Sequence, residues 1–146
     1  MKIRNLISEN IIFPASDILT GYSTYKHFNF LQRSQDWNLH QLEAYQNDKL
    51  KSLIVHAYNN VEYYKDLFDK LGLKPKDIKS KDDLYKLPVL TKADIRNNYN
   101  KLISNDIINR KTLMTGSSGS TGEPLHYPID KSAYSMNLAA NLRGWY

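Results

Sequence analysis

The feature that most constrains the fold is the stretch Met114–Pro124, which reads MTGSSGSTGEP. Its three glycines recur at every third residue, and five of its residues are Ser or Thr. Glycine permits positive φ and lets another group approach the backbone closely, so it disfavours the interior of helices and strands. The stretch therefore predicts a loop with exposed backbone amides and hydroxyls, between elements of regular structure.

Such a loop is suited to binding an anion. Successive exposed N–H groups form a concavity that attracts negative charge, and a polyphosphate offers many acceptor oxygens to the hydroxyls. The spacing is not that of a Walker loop, because Glu123 rather than lysine follows the last glycine. It also lacks the Gly-x-Gly of a dinucleotide fingerprint. A flexible Gly/Ser linker is the alternative interpretation.

The chain before this loop has a helical pattern. Residues 39–71 predict two helices, with Asn38 as the N-terminal cap, a break at Asn59-Asn60 and Gly72 as a left-handed stop. Apolar residues recur at helical spacing along both parts. They are Leu50, Leu53, Ile54, Ala57, Tyr58 and Val61 in the first stripe, and Val61, Tyr64, Leu67, Phe68 and Leu71 in the second.

Two capping patterns predict further short helices. Ser80 with Asp83 and Thr91 with Asp94 both fit the hydroxyl-x-x-acid capping box. Pro88 lies between them and separates the two helices.

Near residue 112 the sequence changes from a helical pattern to one that predicts strands. Lys111–Met114 and Leu125–Ile129 are predicted to be two strands that form a hairpin across the glycine-rich loop. Asp130 is predicted to cap a last helix that carries Ala133, Met136 and Ala140 on one face.

Composition excludes several classes of function. The chain has no cysteine, its four histidines are far apart in the sequence, and no metal site is predicted. Its net charge of +5 comes from basic residues interspersed with acidic ones. This mixture favours small anionic ligands over nucleic acid. No run of 18 apolar residues predicts a membrane span, so we expect a cytoplasmic protein.

Four blocks of sequence resemble one family of enzymes. The segment 117–124 resembles the phosphate loop of adenylate-forming (AMP-binding) enzymes. Three upstream segments resemble the phenylacetate–coenzyme A ligases, and in particular their members of capsular and surface-polysaccharide biosynthesis. They lie at Tyr45–Leu50, His56–Tyr64 and Asp83–Arg96.

The resemblance implies a fold class and a domain arrangement. The family's large domain is α/β, and this chain would hold only its beginning, giving an α+β fragment. Residues 1–110 would be a mainly helical N-terminal region. Residues 111–146 would start the ATP-binding core, with the phosphate loop at 115–124.

The resemblance also implies a reaction. Such enzymes join a carboxylic acid to ATP, with Mg²⁺, to give an acyl-adenylate and pyrophosphate, and most transfer the acyl group to coenzyme A. The residues that would bind the β- and γ-phosphates are Ser117, Ser118, Gly119, Ser120, Thr121 and Gly122. No residue of the chain is assigned as a catalyst.

At two places the chain departs from the family pattern, which limits how far the family's residue roles can be assigned to it. Many adenylate-forming enzymes place a lysine in or just after the end of the loop, where this chain has Glu123 and Leu125. We therefore assign no loop cation. Glu62 stands where the family usually has proline before the paired tyrosines, which alters a helix start.

The family's subunits are longer than this chain, so we expect an N-terminal fragment that is inactive alone. Its partner would be the missing C-terminal part or a second copy. The acid substrate and the acyl acceptor stay open. The alternative function is a non-catalytic helical interaction module that uses the stripe Leu50–Val61. A nucleic-acid surface around Tyr63, Tyr64 and Lys65 is disfavoured by the neighbouring acidic residues.

Overall fold

A computed structural model describes residues 12–117 and 124–144. The contacts divide the chain into two compact units. The first contains the described residues 12–37, 111–117 and 126–144, and the second contains residues 38–110 with 124 and 125.

The described residues form helices and one pair of strands. In chain order the α-helices are α1 (Phe13–Thr20), α2 (Thr24–Ser34), α3 (Leu39–Asn60), α4 (Glu62–Lys70), α5 (Lys92–Asn97), α6 (Tyr99–Leu102) and α7 (Lys131–Arg143). Short 3₁₀ helices cover Pro75–Asp77, Lys81–Lys86 and Ile107–Asn109, and the strands are β1 (Thr112–Gly116) and β2 (His126–Asp130). None of the described helices combines the length and apolar character needed to cross a bilayer.

The predicted caps are confirmed in the second unit. Asn38 accepts a hydrogen bond from the Gln41 amide at 2.9 Å, and the Gln41 side chain accepts one from the Asn38 amide at 3.0 Å. The boxes at Ser80 and Thr91 also form, the first on a 3₁₀ helix and the second on α5. Each box satisfies amides that the first helical turn leaves without a partner.

The predicted breaks are also confirmed. α3 ends at Asn60, and Val61 has extended backbone angles before α4 begins at Glu62. Gly72 has φ +67°, a conformation that favours glycine, directly after the end of α4.

The core of the second unit is built from the two predicted stripes. Ile54 from α3, Phe68 from α4 and Ile78 from the following loop are buried together, and Leu50 and Tyr58 pack against them. The rings of Tyr58 and Phe68 meet edge to face with centroids 5.8 Å apart. Leu53, which the pattern placed in the stripe, is 61% exposed. Most of the stripe is therefore core.

In the first unit, α2 packs against α7, and β1 pairs with β2 in antiparallel register. Thr112 pairs with Asp130 at one end of this hairpin, and Gly116 pairs with His126 at the other. The predicted hairpin is confirmed, with both strands displaced by about one residue.

The face of α7 that carries Ala133, Met136 and Ala140 is not its most buried face, although Met136 is half-buried. Ala133 and Ala140 are exposed, whereas Ser135 and Ala139 are completely buried. The buried face is defined by packing against α2 from a distant part of the sequence. The small Ser135 faces inward because its hydroxyl has partners there.

A mostly helical fold with a small antiparallel sheet agrees with the predicted α+β class. That the second half starts an adenylate-forming domain stays a prediction.

Candidate functional site

The β1–β2 hairpin holds the two ends of the candidate phosphate loop together. Gly116 and His126 form the last pair of the ladder, so nine residues, 117–125, connect the strands. Gly116 is exposed at the start of this connection and Pro124 is exposed near its end.

One of the six predicted binding residues is described by the structure. Ser117 is half-buried and directly follows β1. The other five, Ser118, Gly119, Ser120, Thr121 and Gly122, lie outside the described residues. The structure brings the flanks of the loop together, and phosphate binding by the six residues stays a prediction.

The end of the hairpin opposite the loop, at the Thr112–Asp130 pair, is anchored to α7. The Lys131 amide donates to the Lys111 carbonyl at 2.8 Å, next to the Thr112–Asp130 pair. Asp130 then accepts from the Ser132 amide at 2.7 Å and caps α7, as predicted. Strand and helix thus meet without an intervening loop, which fixes the direction of β2.

Two lysines, Lys111 and Lys131, flank the Thr112–Asp130 pair at this end of the hairpin. The Lys131 ammonium donates to the Thr20 carbonyl at 3.3 Å and lies 5.1 Å from the centre of the Tyr22 ring. Four residue steps separate this end of the ladder from Gly116, which is about 13 Å at the usual strand rise.

A second polar cluster lies in the other unit and includes His56. Asn60 Nδ2 lies 3.1 Å from His56 Nδ1 and donates a hydrogen bond to the His56 carbonyl, also at 3.1 Å. His56 Nε2 lies 3.2 Å from Ser104 Oγ, and Ser104 Oγ donates to Asp106 Oδ1 at 2.6 Å. Sequence patterns missed this cluster, because its members come from positions 48 residues apart.

The cluster has the residue types of a serine–histidine–aspartate triad but not its geometry. In a triad the histidine receives the serine proton at one nitrogen and the carboxylate orients the other nitrogen. Here Asp106 binds the serine directly and lies 3.9 Å from the same nitrogen, Nε2. We interpret the cluster as structural.

Asp106 is held in its charged form. Arg110 donates two hydrogen bonds to Asp106 Oδ2, at 2.9 and 2.8 Å. These bonds and the one from Ser104 lower the pKa of Asp106 from 3.8 to about 2. The Asn105 amide also donates to the Asn60 carbonyl at 2.7 Å. Together the contacts tie residues 104–110 to the end of α3.

Within residues 12–117 and 124–144, no group of three or more His, Asp or Glu side chains is placed to hold a metal ion.

Comparison with known proteins identifies relatives of the chain. The phenylacetate-coenzyme A ligase of Aromatoleum evansii is 39% identical over 84 residues, which is 58% of this chain and 19% of that ligase. The ligase of the same name from Escherichia coli (strain K12) is 38% identical over 84 residues, with the same coverage. Protein CapK of Staphylococcus aureus is 28% identical over 114 residues, or 78% of this chain and 24% of CapK.

No family model matches the chain. The chain spans about a fifth of the length of the ligases it matches, because the matched part is 19% of each. Over that part the chain is similar to the phenylacetate-coenzyme A ligases, which confirms the resemblance that its motifs predicted.

Proposed function

We propose that this chain is the N-terminal part of an ATP-dependent acid–thiol ligase that adenylates a carboxylic acid. The similarity to phenylacetate-coenzyme A ligases supports this reaction class. The whole protein would use ATP to activate the acid and coenzyme A to accept the acyl group. The acid itself stays undefined.

The observation that carries the proposal is the register of the hairpin. Because Gly116 pairs with His126, a Gly-, Ser- and Thr-rich connection begins and ends at one point of the sheet. Ser117, Ser118, Gly119, Ser120, Thr121 and Gly122 would bind the β- and γ-phosphates there. Prearranged amides and hydroxyls would stabilise the charge of the departing pyrophosphate.

Mg²⁺ would supply positive charge to the phosphates when ATP is bound. At the other end of the ladder, about 13 Å from Gly116 at the usual strand rise, the Lys131 ammonium is engaged with the Thr20 carbonyl.

We also propose a cytoplasmic role in surface-polysaccharide biosynthesis. This part of the proposal depends on the motif resemblance, and the match to Protein CapK agrees with it. A homodimer or a complementary C-terminal part would be the protein partner, and no nucleic-acid partner is proposed.

The isolated 146-residue chain is expected to catalyse no exchange between ATP and pyrophosphate. The part that matches the ligases is 19% of each, so most of their length has no counterpart in the matched region.

Binding of Mg·ATP, measured by isothermal titration calorimetry, tests the proposal. We expect the double substitution Ser120→Ala/Thr121→Ala to weaken binding at least about tenfold, the usual effect of losing hydrogen bonds to a charged group. The matched control is Ser52→Ala/Thr20→Ala, which removes two hydroxyls outside the loop and should leave binding unchanged. Equal affinity of the wild type and the loop variant would contradict the assignment.

A further inference from the structure

A basic cavity lies in the second unit, formed by α3 and the segment after α4. It is an open groove with a volume of about 660 Å³, and the surface that it exposes is mostly apolar. The residues that line it are Lys51, Val55, Lys74, Pro75, Lys76, Ile78 and Lys79. Four of the seven are lysines and the other three are apolar.

The apolar part of the cavity is attached to the core. Ile78 is 1% exposed and packs with Ile54 and Phe68. Val55 is 47% exposed and presents aliphatic surface beside it. Because Ile78 is fixed by the core, the floor is preformed and would not need to be ordered on binding.

The charge around the cavity is positive and mostly uncompensated. Lys74 is paired with Asp69 at 3.2 Å. Across residues 12–117 and 124–144, the ammonium groups of the other three lysines, Lys51, Lys76 and Lys79, make no ion pair. Three cations around an apolar floor attract an anion more strongly than a neutral molecule.

Two carboxylates close in sequence to Lys76 and Lys79 are engaged with other groups. Asp77 accepts from the Lys74 amide at 2.8 Å, and Asp83 accepts from the Lys79 amide at 2.8 Å. Asp83 also binds Lys86 at 2.6 Å. These contacts hold the carboxylates on local backbone amides and on Lys86, so Lys51, Lys76 and Lys79 keep their donors for a ligand.

We propose that this cavity binds a soluble organic anion with an aromatic or short acyl body. The body would lie on Val55, Pro75 and Ile78, and the anionic group would contact Lys51, Lys76 and Lys79. A single-stranded nucleic acid is a poorer fit, because no aromatic side chain lines the cavity for base stacking. The site goes beyond the proposed ligase function and does not depend on it.

Naphthalene-2-sulfonate is a suitable probe, because it combines one anionic group with an apolar body. Titration of the full chain, followed by amide chemical shifts, should perturb Val55, Lys76 and Ile78, with a Kd of about 1 mM or tighter. Inorganic sulfate lacks the body and 2-naphthalenemethanol lacks the charge. Each should bind at least about tenfold more weakly if both parts of the cavity contribute.

Variants that remove charge distinguish binding at this cavity from non-specific attraction by the positive charge of the whole chain. Lys76→Gln/Lys79→Gln should weaken the probe at least about tenfold, whereas Lys65→Gln/Lys92→Gln removes the same charge elsewhere and should leave the Kd within about twofold. The proposal is overturned if both pairs behave alike, or if sulfate binds as well as the probe. It is also overturned if vesicles that contain anionic lipid bind the chain through these lysines while the soluble probe does not.

Discussion

The Ser135 hydroxyl oxygen accepts a hydrogen bond from the Ser23 backbone amide at 3.1 Å, across 112 residues of sequence. The same hydroxyl donates to the Lys131 carbonyl at 2.7 Å, and Ser135 is completely buried. One small polar side chain thus connects the segment before α2 to the helix that follows the hairpin.

Ser135→Ala should therefore destabilise the first unit. The change leaves the Ser23 amide without its side-chain partner, which costs about 1–3 kcal/mol of unfolding free energy when the group is buried. Urea denaturation measures the loss, and amide hydrogen exchange at Ser23 should become faster. Ser52→Ala removes an exposed serine hydroxyl on α3 and should stay within about 0.5 kcal/mol of the wild type. Equal stability of the two variants would refute the role of Ser135.

Phe68→Ala should be the most destabilising of these changes in the second unit. Phe68 is 0% exposed and lies between Ile54, Ile78 and the Tyr58 ring. Removing a buried phenylalanine costs about 3–5 kcal/mol, because transfer energy is lost and a cavity remains. Tyr85→Ala, at a ring that is 82% exposed, should change stability by less than about 0.5 kcal/mol. A small effect of Phe68→Ala on urea denaturation would show that this core is not as described.

Gly72→Ala tests the left-handed end of α4. A Cβ at this position would meet no atom within 4 Å, so any cost comes from the backbone, whose φ is +67°. A non-glycine residue there costs about 1–2 kcal/mol of stability. Gly72→Asn should recover part of the loss, because asparagine tolerates this conformation better. The explanation fails if alanine and asparagine are equally well tolerated in thermal unfolding.

The charge of Asp106 should make stability depend on acid pH. Its folded pKa, about 2, lies below the ordinary 3.8, so the unfolded chain binds this proton first as pH falls. The stabilisation is present above pH 3.8 and disappears as pH falls towards 2. Asp106→Asn should therefore be less stable than the wild type at pH 6, and the difference should shrink between pH 4 and pH 2. A difference in urea midpoint that does not change with pH would contradict this reading. Asp83, whose pKa is also about 2, remains in both proteins.

Local sequence signals predicted the features that local interactions determine. Asn38 and Thr91 cap their helices through partners three residues away, and Gly72 ends α4 through its own backbone conformation. The hairpin also follows from adjacent strands and the turn residues between them. The period of apolar residues identified Ile54 and Phe68 as core.

Long-range partners account for what the sequence did not predict. The buried face of α7 depends on Ser23, and the His56 cluster depends on Ser104. Both partners are far away in the sequence, so a pattern read within one helix cannot predict them. For the same reason, the grouping of residues 12–37 with the hairpin and α7 had no local signal. The candidate loop was recognised from residue types alone, and its flanks are the part that the structure adds.

The most direct test of the central claim is the amide spectrum of the chain during titration with Mg·ATP. With only six glycines in the chain, the amides of Gly119 and Gly122 can be assigned individually. We predict that these two amides shift with saturation by Mg·ATP and by inorganic tripolyphosphate but not by AMP, which lacks the β- and γ-phosphates. The absence of a shift at both glycines, at ATP concentrations that saturate any binding detected by calorimetry, would contradict the assignment of this loop to phosphate binding.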